Sequence, residues 1–90
     1  MTTCRVTISG RVQGVGFRYA LADEAVARKL SGWVRNRRDG SVEAVIAGHD
    51  ADVEALIAWA QKGPPAACVT AVGVEPATTE ARGFEILPTV

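Results

Sequence analysis

The chain has 90 residues and a mass of 9.5 kDa, which fits one domain over residues 1–90, since domains usually run to about 100–150 residues. Hydrophobic residues make up 48% and charged residues 22%, a globular composition that excludes a disordered chain. Ten basic and ten acidic side chains cancel, which argues against a general nucleic-acid binder.

Residues 4–12 alternate. Cys4, Val6, Ile8, Gly10 and Val12 fall on one side, and Arg5, Thr7, Ser9 and Arg11 on the other. A period of two with one apolar face predicts a half-buried strand. Gly14-Val15-Gly16 then forms a glycine-rich turn. From Phe17 the spacing becomes helical, with Phe17, Ala20, Leu21 and Ala25 on one stripe. The stripe falters at Arg28-Lys29, and Ser31-Gly32 is expected to end the helix. Trp33 to Asn36 reads as a short strand. The Asp39-Gly40 pair predicts a hairpin into a return strand over Val42 to Ala47. Asp50 is placed to cap a second amphipathic helix carrying Val53, Leu56, Ile57 and Ala60. Gly63-Pro64-Pro65 stops it. A strand is expected over 67–75, a loop from Pro76 to Arg82, and a last short strand from Phe84 to Leu87.

The order is β-α-β-β-α-β plus a short final strand, the split βαβ arrangement. It predicts an α+β fold in which two helices cover one face of an antiparallel sheet.

No apolar run approaches the roughly 18 residues of a membrane span. The N-terminus lacks the basic and apolar regions of a secretory signal. A cytoplasmic location without membrane association follows as the expectation. Cys4 and Cys68 are too few for a disulfide framework. They begin strands expected to run antiparallel at one sheet edge, so no bridge between them is expected. With His49 they share no metal-ligand spacing, and no metal site is predicted.

Charge is unevenly spread. Residues 1–47 carry eight basic side chains against four acids, and residues 48–90 carry two against six. A basic N-terminal half suits a local anion site. Arg35, Arg37 and Arg38 read as a solvated strand end able to steer anions.

The chemistry concentrates in residues 9–18, where a strand end, a glycine turn and a helix start follow one another. A helix N-terminus leaves amides unpaired and its dipole points positive there. A turn before it aims further amides inward, so the pair forms a cradle for phosphate. Gly14 and Gly16 permit close backbone approach or positive φ. Arg18 adds a permanently charged fork matched to phosphate oxygens. The chain has no Gly-Lys pair for a Walker A loop, and Tyr19 stands where a dinucleotide motif needs its third glycine. Gly16-Phe17-Arg18-Tyr19 opens a helix, whereas an RNA-recognition motif needs its aromatics on a strand. No nucleophile–base pair is visible, and His49 sits in a polar turn. An enzyme built this way relies on positioning and charge stabilisation, with a substrate that already has a good leaving group.

Gly10-Arg11-Val12-Gln13-Gly14-Val15-Gly16-Phe17-Arg18 resembles the signature of the acylphosphatases. Gly32-Trp33-Val34-Arg35-Asn36 followed by Asp39-Gly40-Ser41-Val42-Glu43 resembles their second signature, and Gly63-Pro64-Pro65-Ala66 and Phe84-Glu85-Ile86 also match. The resemblance covers nearly the whole chain. It implies a ferredoxin-like α/β sandwich. It implies hydrolysis of a small-molecule acyl phosphate to carboxylate and inorganic phosphate, with no metal or organic cofactor. A monomer is the expectation, with the oligomeric state left open by the sequence. It implies that Arg18 and Asn36 are catalytic and that Gln13, Gly14, Val15, Gly16, Phe17 and Arg18 bind phosphate. A non-catalytic anion-binding module is the alternative. The chain departs from the family at Arg28-Lys29, where an apolar residue and a glycine are usual. It also departs at Leu21 and Arg37, which stand where some members have hydroxyl residues, and in its ending Leu87-Pro88-Thr89-Val90.

Overall fold

The computed structural model of the protein describes residues 1–90. The elements are β1 (Thr2–Arg11), α1 (Phe17–Ala27), β2 (Ser31–Asn36), β3 (Val42–Gly48), α2 (Asp50–Ala60), β4 (Cys68–Pro76) and β5 (Phe84–Ile86). Their order is the expected β-α-β-β-α-β with a short strand added. The five strands form one sheet in the order β4-β1-β3-β2-β5.

Residue alternation builds the core. Cys4, Val6 and Ile8 of β1 lie opposite Ile46, Ala44 and Val42 of β3, so all six point to one face. Phe17, Leu21 and Ala25 of α1 and Val53, Leu56 and Ala60 of α2 close over that face and join the same buried cluster. Burying a Leu or Phe side chain of this kind contributes about 1.5–3 kcal/mol. Phe17 meets Trp59 edge-on, with ring centroids 5.4 Å apart. That contact pins the start of α1 to α2.

One ladder corrects the antiparallel expectation. β1–β3, β1–β4 and β2–β3 are antiparallel, but β5 runs parallel to β2. The geometry leaves no other choice. β4 is antiparallel to β1 and finishes at the end of the sheet where β1 and β2 begin. A strand that follows it across to the far edge must run the same way as β2.

The end of α1 also differs from expectation. The helix stops at Ala27, so Ser31 and Gly32 belong to β2. The Lys29 amide donates to the Val26 carbonyl at 3.0 Å and the Leu30 amide to the Ala25 carbonyl at 2.9 Å. This pair of bonds is a Schellman closure, with buried Leu30 packing in the cluster that holds Ala25. Lys29 occupies its left-handed position at φ 58°. At the second helix the cap is His49, with Asp50 already helical. The Asp50 carboxylate instead accepts a hydrogen bond from the Thr2 hydroxyl and faces the Met1 amino group at 3.3 Å. Those contacts hold its pKa below the usual carboxylate range.

The sheet face away from the helices carries a buried charge. Glu43 is only 3% exposed. Its carboxylate lies 3.3 Å from Arg5 Nε, 2.8 Å from Arg35 Nε and 3.4 Å from Arg37 Nη1. Arg35 also stacks on Trp33, 4.5 Å from the ring centroid. Arg35 and Arg37 are therefore not the free strand end read from the sequence, because pairing across strands sets Arg35 directly opposite Glu43. Cys4 and Cys68 are free, as expected. They lie opposite Pro76 and Arg11 respectively, at the two ends of the β1–β4 ladder. Burial pushes the Cys4 thiol pKa up. No helix is long and apolar enough to cross a membrane.

Candidate active site

A pocket of about 200 Å³ opens where β1 hands over to α1. Its lining comprises Val12, Gln13, Gly14, Gly16, Phe17, Arg18, Tyr19 and, from the end of β2, Asn36. The adjacency of β1, β3 and β2 in the sheet brings these distant segments together.

The loop is shaped by its glycines. Gly14 has φ 73° and Gly16 has φ 78°. A Cβ at either would meet nothing within 4 Å, so backbone conformation, not crowding, demands glycine there. Gly16 is the N-cap of α1 and has no side chain with which to satisfy the first helical amides. No acidic residue lies in the first turn to offset the positive dipole end. The amides of residues 13–16 donate to no backbone carbonyl. The loop thus presents unengaged N–H groups at the positive end of a helix, the arrangement that binds tetrahedral anions.

Arg18 is half-buried in the first turn and makes no ion pair. Its guanidinium carbon lies 5.8 Å from the centroid of the Tyr19 ring. Asn36 contributes the opposite kind of group. Its Oδ1 is buried and accepts no hydrogen bond. Such an acceptor is costly until a donor reaches it. The backbone around Asn36 is held firmly, since it pairs with Val42 and its carbonyl accepts from the Val90 amide at 3.2 Å.

Gln13 joins the two halves. Its Nε2 donates to the carbonyl oxygens of Arg37 at 2.7 Å and Ser41 at 2.9 Å. The side chain is thereby committed to the hairpin after β2, which leaves only the backbone of Gln13 to face an anion. Val15 likewise offers backbone alone, because its side chain packs against the core. Phe17 is 1% exposed and anchors the loop from below. The structure therefore gathers Gln13, Gly14, Gly16, Phe17, Arg18 and Asn36 around one pocket. Sequence reasoning passed over Tyr19 as a site residue. Its signal was an aromatic residue outside the apolar stripe of α1, directly after Arg18.

The arrangement supplies a cradle of amides, one cation and one neutral acceptor. The family model described as acylphosphatase matches residues 4–86. The acylphosphatase of Cupriavidus necator is 53% identical over 88 residues, covering 98% of this chain and 96% of that protein. A crystal structure of acylphosphatase from Bacillus subtilis superposes with a TM-score of 0.92 at 38% identity, covering 97% of this chain and 99% of that one. HypF from T. kodakarensis matches with a TM-score of 0.85 at 30% identity, covering 97% of this chain but only 12% of HypF.

Proposed function

Because the chain belongs to the acylphosphatase family, we propose that it hydrolyses the anhydride between a carboxylic acid and phosphate through Arg18, Asn36 and the amides of the loop from Gln13 to Phe17. The phosphoryl group carries about two negative charges. The loop amides and the Arg18 fork hold its equatorial oxygens as charge redistributes. A water held by the Asn36 carboxamide is aimed at phosphorus. A new bond forms between the water oxygen and phosphorus while the phosphorus–oxygen bond to the acyl group breaks. The acyl carboxylate departs with the electron pair, and the water's proton passes to a phosphoryl oxygen. A carboxylate is a stable leaving group, so no general acid is needed, and a neutral amide suffices to orient the water. The positive charge comes from Arg18 and the loop, and on this reading no metal takes part.

The observation that carries this reading is that Asn36, whose Oδ1 has no partner within the protein, lines the same pocket as Arg18 and the unengaged loop amides. A module that merely bound phosphate would gain nothing from it, because an oxygen acceptor repels phosphate oxygens. A water between the two satisfies both. The test is hydrolysis of benzoyl phosphate and acetyl phosphate by the purified chain in EDTA. Turnover of either supports the reading. Phosphate binding by calorimetry with no turnover of any acyl phosphate would leave only an anion-binding module.

A further inference from the structure

We propose that the exposed ring of Tyr19 is the platform on which the acyl group of the substrate lies, so that aromatic acyl phosphates are favoured over small aliphatic ones. The proposal rests on the acylphosphatase reading and deepens it. Three hydrophobic residues line the pocket: Val12, Phe17 and Tyr19. Val12 and Phe17 are each 1% exposed, so they support the loop from inside the core and offer a ligand almost no surface. Tyr19 is 63% exposed. Of the three side chains, its ring alone is exposed enough to offer a ligand apolar surface.

The ring is also at the right place. A phosphoryl group gripped by Arg18 projects its acyl substituent from beside the guanidinium, and the Tyr19 centroid is 5.8 Å from the guanidinium carbon. That separation is within reach of a carbonyl and an attached phenyl ring. A flat aromatic acyl group gains offset stacking on tyrosine, whereas an acetyl group covers little of it. A neighbouring groove bounded by Trp59, Pro64 and Pro65 is a poorer place for this substrate. Asp23 and Glu24 stand on its rim, and their carboxylates oppose an anionic ligand.

The experiment compares kcat and KM for benzoyl phosphate and acetyl phosphate in the full chain and in Tyr19→Ala and Tyr19→Phe. The expected result is a benzoyl-to-acetyl ratio of kcat/KM that falls about fivefold to tenfold in Tyr19→Ala, mostly through KM. Tyr19→Phe keeps the wild-type ratio, because the ring face is retained. An equal loss on both substrates would assign the ring to holding Arg18 and overturn the proposal. An unchanged ratio with full activity would overturn it as well, while leaving the proposed reaction standing. A wild-type chain inactive on both substrates would sink the reaction and the platform together.

Discussion

Gln13 spans the site from below: its Nε2 donates to the Arg37 carbonyl at 2.7 Å, one residue past Asn36. A second bond from the same nitrogen reaches the Ser41 carbonyl. The loop that carries the phosphate cradle is thus tied to the strand end that carries Asn36. One carboxamide adds a direct tie between the two halves that the sheet brings together.

Replacement of Gln13 by Ala should therefore damage the reaction more than the fold. Both carbonyls keep another donor, from the Gly40 and Arg37 amides, so the stability loss should be about 1 kcal/mol. A shift of about 1 Å between Arg18 and Asn36 should cost about tenfold to a hundredfold in kcat. Gln13→Glu should be worse in both respects, because a carboxylate would face two carbonyl oxygens. Denaturant unfolding and steady-state kinetics on one preparation separate the two effects. Unchanged kcat in Gln13→Ala would mean that the loop holds its place without this tie.

Asn36→Ala should split activity from stability. No bond within the protein is lost when Oδ1 is removed, since it has no partner. The melting temperature should hold or rise slightly, as expected where a site is kept at the expense of stability. Turnover should fall about 10²–10³-fold, with competitive inhibition by inorganic phosphate retained. Arg18→Lys should lose both turnover and phosphate binding, because a point charge does not reproduce the planar fork. Full turnover in Asn36→Ala would contradict the water-orienting role.

Much of this was legible in the chain itself, for identifiable reasons. The alternation from Cys4 to Val12 and the switch of period at Phe17 are local, and they placed the strand, the turn and the helix start that make the cradle. Asn36 became a site residue only through its resemblance to a signature, because the strand order that carries it to Arg18 is a long-range property. The Gln13 tie was unreadable for the same reason, as its partners lie 24 and 28 residues away. Glu43 hid in an apolar run. The arginines that justify its burial come from β1, β2 and the hairpin, so neither side of the cluster explains itself alone. Asp50 looked like a cap because capping is local. Thr2 and the chain's own amino group compete for the same carboxylate.

The end of α1 misled for a different reason and yields its own prediction. A left-handed position normally announces itself with glycine, and here it holds Lys29 at φ 58°. A side chain in that conformation costs about 1–2 kcal/mol relative to glycine. Lys29→Gly should stabilise the chain by about 0.5–1 kcal/mol, after allowing for the greater freedom of glycine in the unfolded state. Lys29 lies outside the pocket, so kinetics on acyl phosphates should not move. Calorimetric or denaturant melts would show the gain. A loss of stability would mean that the lysine side chain makes a contact worth more than the strain.

Acid should loosen the hairpin that Gln13 holds. Asp39 Oδ1 accepts from Ser41 Oγ at 2.6 Å and from the Ser41 amide at 2.9 Å. These bonds, the side-chain one first, lower the Asp39 pKa, with a smaller contribution from the Arg37 charge. A carboxyl whose folded pKa lies below its unfolded value stabilises the folded state fully above the unfolded value, about 4. That stabilisation fades as pH falls through the folded value, and below both values it is gone. The melting temperature of Asp39→Ala should therefore lag the wild type at pH 7, and the gap should close as the pH drops below about 4. Because Ser41 offers its carbonyl to Gln13 and its amide to Asp39, loss of the turn reaches the pocket through a single residue. The part of the wild-type acid-side fall in kcat that comes through this turn should accordingly be absent in Asp39→Ala, whose kcat is already lower at pH 7. A melting gap that is constant across this range would show that the carboxylate charge is not what holds the turn.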